Sequence, residues 1–438
     1  MIMPLKEAKK SNLGMFIGML LIVSVVAFVS YSLGTKSIQE DQQSQAGAEQ
    51  IKAYIDAKQD SGSEIDLVAK FGTNFTKLNL SGINFKNISL KGADFSYANL
   101  RGADFEASNL ESVNFNYANL ERVNLIGAKL QDVNLNYANL SKSNLENAEV
   151  TEAKLSYANI QNANLKNAVM KKVDFSYADI TNAHLFRANL EGANLEGADL
   201  AYSDLREANF SGASMVSVGL DSANLKGANL QNSKLEGAFM QKARLDNVNA
   251  SNADFSEVNL QRADLQSAKL DGAIFKKANL TDANLWEASL LGANLSNANL
   301  TGAQLWDTKA AGAVFDGATF YRANLEGAYL DGANLQDASL KDASLNGAVL
   351  IGANLQDADL KGASLKNVNF TSANLQDANL KASNLEKADF TSANMAGANL
   401  IDANLEDATF EKAILDNVSG LNIKDIKQIK AVGKVSVE

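Results

Sequence analysis

The sequence predicts an all-β solenoid: a four-sided coil that turns a corner every five residues and closes one turn every 20. Three observations carry this reading. From Phe75 to Leu415 every fifth residue, here called the centre, is large and apolar, and only Ala250 and Ala310 break the rule. Two residues before each centre stands Ala or another small or apolar residue, such as Val113, Val133, Ser143 or Val173. Outward residues repeat at 20: Tyr97, Tyr117, Tyr137, Tyr157 and Tyr177; Trp286 and Trp306; Gln336, Gln356 and Gln376.

A period of five fits neither the 3.6 of a helix nor the 2 of a strand. The chain must bury two residues in five, and a corner after each centre does so by sending both side chains to the axis. Four corners then make a coil of 20 residues. The outward repeats test that number independently, because nothing in a core imposes a period on solvated positions. Within the core, Phe75, Phe95 and Phe115 share one column and Phe370, Phe390 and Phe410 another, so rings are expected to stack.

The motif, as in Ala98-Asn99-Leu100-Arg101-Gly102 followed by Ala103-Asp104-Phe105, resembles the A-(D/N)-L-x-x unit of the pentapeptide-repeat family from Phe75 to Leu415. That resemblance implies a right-handed quadrilateral β-helix with Leu/Phe and Ala inside. The run amounts to about 17 coils, a rod of roughly 80 Å at a strand spacing of about 4.8 Å. Each coil touches only its neighbours, so stability sums over neighbouring pairs, and both open ends need covers.

The segments around the rod follow in order. Residues 1–12 are short and basic, with Lys6, Lys9 and Lys10 against Glu7, and are assigned to the cytoplasm. Leu13 to Leu33 carries no charge and is long enough to span a bilayer, so 13–34 is read as a transmembrane helix and single-pass anchor. The N-terminal lysines place the rod on the far side of the membrane. Gly14 and Gly18 offer one G-x-x-x-G contact for a second helix, consistent with a homo-dimer. Residues 35–70 form a polar helical spacer and N-terminal cap. Ile51, Tyr54, Ile55 and Lys58 fall at helical spacing in a helix Ala46–Gln59, and Ser63 caps a turn Glu64–Lys70 that covers the first coil. The β-helix proper spans 71–418. Residues 419–438 form a C-terminal capping helix and tail, with Ile423, Ile426, Ile429 and Val432 as the apolar face.

Two features inside the rod carry specific expectations. Gly recurs three residues before the centre, yet tyrosines and Arg187 occupy the same position, so positive φ is not expected to be obligatory there. Ala250 and Ala310, the latter with Thr308 two before it, leave layers underfilled, which costs stability, bends the rod or admits a partner side chain.

The residue inventory bears on chemistry. There is no cysteine and a single histidine, His184, which stands where Asn or Asp usually precedes a centre. No triad, phosphate loop or metal-binding motif can be assembled, so no enzyme activity, cofactor or metal is expected. Asp337, Asp357 and Asp377 form one carboxylate column, with Lys341, Lys361 and Lys381 four residues on to compensate the charge.

The resulting reading is a non-enzymatic, membrane-tethered rod that acts as a protein-interaction scaffold or spacer through its outward ladders. The candidate surface is Tyr97, Tyr117, Tyr137, Tyr157 and Tyr177, with Trp286 and Trp306 second and Phe186 in the tryptophan column. The alternative is a DNA-mimicking topoisomerase-binding protein, as some pentapeptide-repeat proteins are. B-DNA carries a charge about every 1.7 Å, so a rod of this length would need roughly 45–50 negative charges. The net charge is −11, and no nucleic-acid partner is expected.

Overall fold

The computed structural model describes residues 45–60 and 64–421. From 74 onward the chain forms four parallel ladders. They start at Asn74↔Asp94, Asn79↔Asn99, Asn84↔Asp104 and Ser89↔Asn109, keep a spacing of 20 throughout, and end at Asn399↔Ser419.

One repeat accounts for its own backbone. Asp94 N–H donates to Thr73 O (2.7 Å), Phe95 N–H to Asn114 O (2.7 Å) and Tyr97 N–H to Asn116 O (3.0 Å). Ala98 N–H closes the corner on Phe95 O (3.0 Å). The remaining donor, Ser96 N–H, is taken by the side chain of Asp94 (2.9 Å). Every N–H of the repeat is thereby satisfied, as a backbone largely removed from water requires. This gives the Asn/Asp column its role: the side-chain oxygen accepts the N–H two residues on. The same residues also bond up the rod. Asn394, Asn374 and Asn354 each donate Nδ2 to the Oδ1 of the residue 20 earlier, at 3.1, 2.9 and 3.0 Å.

The corner overturns one expectation. Every fifth residue from 77 to 417 has positive φ, glycine or not: Gly102 at 65°, Tyr97 at 60°, Arg187 at 58°. Positive φ at the third turn position alone, closed by a bond between the first and fourth residues, is the type II arrangement. A non-glycine residue there carries strain of about 1–2 kcal/mol, held in place by the bonds on either side. Ala107 (φ 55°) gains nothing from its methyl group in exposed space. Ala107→Gly is expected to stabilise the rod by about 1 kcal/mol in urea denaturation, whereas Ala103→Gly, at a buried position outside the positive-φ column, should destabilise it.

Inside, both inward columns are buried along the rod, with Phe95, Ala98 and Leu100 at 0–1% exposure. Phe75, Phe95 and Phe115 stack at 4.8 and 5.4 Å, and Phe370, Phe390 and Phe410 at 5.1 and 4.9 Å. A further stack, Phe85 on Phe105 at 4.7 Å, lies beside the first and meets it edge-on. Ala250 and Ala310 lie on the same ladder, which runs on without a break through Asn249, Lys269, Ser289, Lys309 and Tyr329. Both alanines are sealed at 0–1% exposure, so neither layer opens to a partner side chain. The next centre is in each case a phenylalanine, Phe255 or Phe315.

The N-terminal cover differs in part from expectation. Helix α1, 45–60, buries Ala48, Ile51 and Ile55 in the core that continues into the rod. It sits close enough that a Cβ on Gly47 would lie 3.3 Å from Leu78 Cδ2. Helix α2 is Leu67–Phe71, shorter than Glu64–Lys70, and its N-cap is Asp66, whose carboxylate accepts from Ala69 N–H at 2.8 Å. Asp66 is extended (φ −110°, ψ 91°), which excludes it and the residues before it from the turn. Tyr54 of α1 meets Phe71 of α2 edge-on at 5.5 Å. The cover is thus a helix pair rather than a single turn. Ser63, the expected span 13–34 and the expected C-terminal helix beyond 421 lie outside the described residues. Among the described residues no helix is long and apolar enough to cross a membrane.

Candidate interaction surface

The five tyrosines occupy one corner column, and their positive φ throws each ring outward over the corner of the next coil. Successive rings stack nearly parallel, at 5.0, 4.7, 5.0 and 5.2 Å with interplanar angles of 2–13°. They remain 46–57% exposed. The stack has a defined end at Gly197, where an added Cβ would meet Tyr177 Cε1 at 2.6 Å, so the last ring lies on the glycine backbone.

The columns beside the tyrosines carry little charge over this stretch: Ser96, Asn116, Asn136, Ser156 and Ser176 precede them, and Asn99, Asn119, Asn139, Asn159 and, at the last coil, Asp179 follow two residues on. Asn119 and Asn139 donate down their column at 3.2 and 3.4 Å. Ser156 Oγ bonds Ser176 Oγ (2.9 Å) and donates to Asp174 (2.8 Å). Partial burial works to raise the Asp174 carboxyl, but bonds from Ser176, Ser156 and Asn194 outweigh it and hold the group below the usual carboxylate range.

Trp286 and Trp306 stack at 4.4 Å and 6°. Trp306 is 36% exposed, while the Trp286 Nε1–H is buried without an acceptor. Phe186, in the same column, is not joined to them; the guanidinium groups of Arg187 and Arg206 lie over its ring at 4.8 and 5.5 Å. Its faces are therefore engaged within the rod. Arg206 in turn grips Asp204 with two bonds, at 2.7 and 2.6 Å.

The carboxylate column differs in its partners. Lys341 pairs with Asp359 at 2.9 Å, across the corner, not with Asp337 or Asp357. Gln356 and Gln376 instead donate to Asp357 and Asp377, each at 3.2 Å. Among the described residues no group of three or more His, Asp or Glu side chains is placed to hold a metal ion.

Three further exposed aromatics fall outside the repeating sets: Tyr202, Phe239 and Tyr329 at 66, 51 and 49% exposure. Each stands alone in its column, and that solitude hid them from a search for 20-residue spacing.

The pentapeptide repeat region description matches residues 118–195 and 313–390. The pentapeptide repeats (8 copies) description matches 71–106, 188–218, 223–262, 259–297 and 373–411. No curated protein matches the chain. Among solved structures it is similar to HetL, a pentapeptide repeat protein involved in heterocyst differentiation regulation from the cyanobacterium Nostoc sp. (32% identity, 48% of this chain and 90% of that one, TM-score 0.19). It is also similar to a pentapeptide repeat protein of the Arabidopsis thaliana thylakoid lumen (32%, 25% and 67%, TM-score 0.16). A third is QnrB1, a plasmid-mediated fluoroquinolone resistance protein (17%, 46% and 89%, TM-score 0.20). TM-scores this low add nothing to the fold already described. The matched repeats cover most of the rod, and on that ground the chain belongs to the pentapeptide-repeat family, with its right-handed β-helix.

Proposed function

We propose that this chain is a membrane-tethered, non-enzymatic rod that serves as a protein-interaction scaffold or spacer, read through its outward ladders. Members of the family are generally non-enzymatic. The observation that carries the reading is the tyrosine stack: five exposed rings flanked mostly by Ser and Asn, where tyrosine is favoured and charge is depleted at interfaces. A DNA-mimicking role fits less well, because the net charge is only −11 and part of the outward carboxylates are paired with cations one coil away, as in Lys86–Glu106, Lys91–Glu111 and Lys366–Glu386, each at 2.8 Å. A mimic needs such groups free.

Replacing all five ladder tyrosines with serine in the full chain is expected to cut recovery of bound proteins in a pull-down about tenfold. Unchanged partners would sink the assignment. Reporter fusions at the C-terminus are expected to be active outside the cytoplasm and silent within it; the reverse pattern would overturn the topology and revive the DNA-mimicking role.

A further inference from the structure

We propose that the tyrosine ladder is a lateral contact between two copies of this chain. The inference rests on the ladder being an interaction surface and names what it meets. Three observations carry it.

The first is what the stack leaves exposed. Ring faces are consumed against one another at 4.7–5.2 Å, so a partner meets ring edges and a row of phenolic hydroxyls, of which the last, on Tyr177, also reaches Glu196 at 3.5 Å. A hydroxyl both donates and accepts. A row of them is therefore complementary to itself, and no second chemistry is needed.

The second is spacing. Contact along the whole row requires groups repeating at about the same interval, which is the strand spacing of a β-solenoid and not a property of a general protein surface. A second copy has that repeat in the same five residues. A two-fold axis placing the rods antiparallel sets Tyr97 against the partner copy's Tyr177 and Tyr117 against its Tyr157, with Tyr137 at the centre. An axis along the rods sets each ring against its own counterpart. Both are isologous contacts.

The third is charge. The chain is acidic, net −11, and two copies repel in general. The strip carries less of this charge: over Tyr97 to Tyr157 the flanking columns are Ser and Asn, Arg101 and Glu121 beyond them neutralise each other at 3.3 Å, and the carboxylates Asp179 and Glu196 stand only at the Tyr177 end. Five half-exposed tyrosines offer roughly 500 Å², and the flanking amides bring the contact toward the roughly 800 Å² per partner of a standard interface.

The chain contains no cysteine, which makes the test direct. In the full chain, reconstituted in vesicles, Tyr137→Cys is expected to form a disulfide-linked dimer on mild oxidation, since that position faces its own counterpart in either orientation. Asn147→Cys, in another corner column, should give at least about tenfold less. In pairs, Tyr97→Cys with Tyr177→Cys reports the antiparallel arrangement. Equal cross-linking at 137 and 147 overturns the proposal. If position 137 does not cross-link while the serine ladder variant loses a different protein, the surface binds but its partner is not a second copy. If neither effect is seen, both readings fall together.

Discussion

Phe95→Ala is expected to cost about 3–5 kcal/mol, a large part of what a solenoid end can lose before its coils separate. Phe95 stacks on Phe75 and Phe115 and meets Phe85 and Phe105 edge-on at 6.2 and 6.3 Å. Removing its ring empties the centre of a five-ring cluster and forfeits, beyond burial, about 0.5–1.5 kcal/mol for each aromatic pair. Because coils touch only neighbours, the loss stays local. Amide exchange should rise through the first coils, around 75–135, while the coils beyond 300 keep their protection. A uniform rise along the chain would show that the rod unfolds as one unit.

Ala310→Leu tests the opposite fault. The extra carbons enter a sealed layer whose next two centres, Phe315 and Phe320, meet at 5.3 Å and 62°. Overpacking of this kind costs about 1–3 kcal/mol. Phe315→Leu made alone leaves a void; made together with Ala310→Leu it restores the volume. The pair is expected to be coupled by about 0.5–3 kcal/mol in a double-mutant cycle read by urea denaturation. If Ala310→Leu is neutral, the small residue is not balanced by the large one after it.

Much of the fold was legible because its signals repeat. Centres and small residues mark the two inward columns, and Tyr97 to Tyr177 fixes the coil at 20 without help from the core. The corner was misread for a definite reason. Tyr97 argued against positive φ, as a single bulky residue should, but the column as a whole says otherwise: from 77 to 417 it contains no Val, Ile or Thr. The missing β-branched residues are the trace of left-handed backbone, and tyrosine is admitted because its first side-chain carbon is unbranched. The Lys341 pairing was missed because counting along one coil cannot see that the nearest carboxylate across the corner is Asp359 of the next. Docking of α1 was hidden since amphipathic spacing names a buried face and not what buries it. The stack of tyrosine rings was foreseeable; the Ser and Asn columns that flank it gain meaning only once the ladders are laid side by side.

The 20-residue register has a consequence for how such a rod can change. An insertion of five residues would leave the core intact, since a centre would replace a centre and an Asn rung would still meet a rung. It would, however, turn everything beyond it by a quarter revolution about the axis. The tyrosine and tryptophan stacks would then face new directions relative to each other, with no loss of burial to signal the error. The core sets a tolerance of five and the surface a tolerance of 20. Within each stripe, as from Tyr97 to Tyr177 and from Gln336 to Gln376, the chain holds the stricter of the two, and what that strictness preserves is the compass bearing of the stripe.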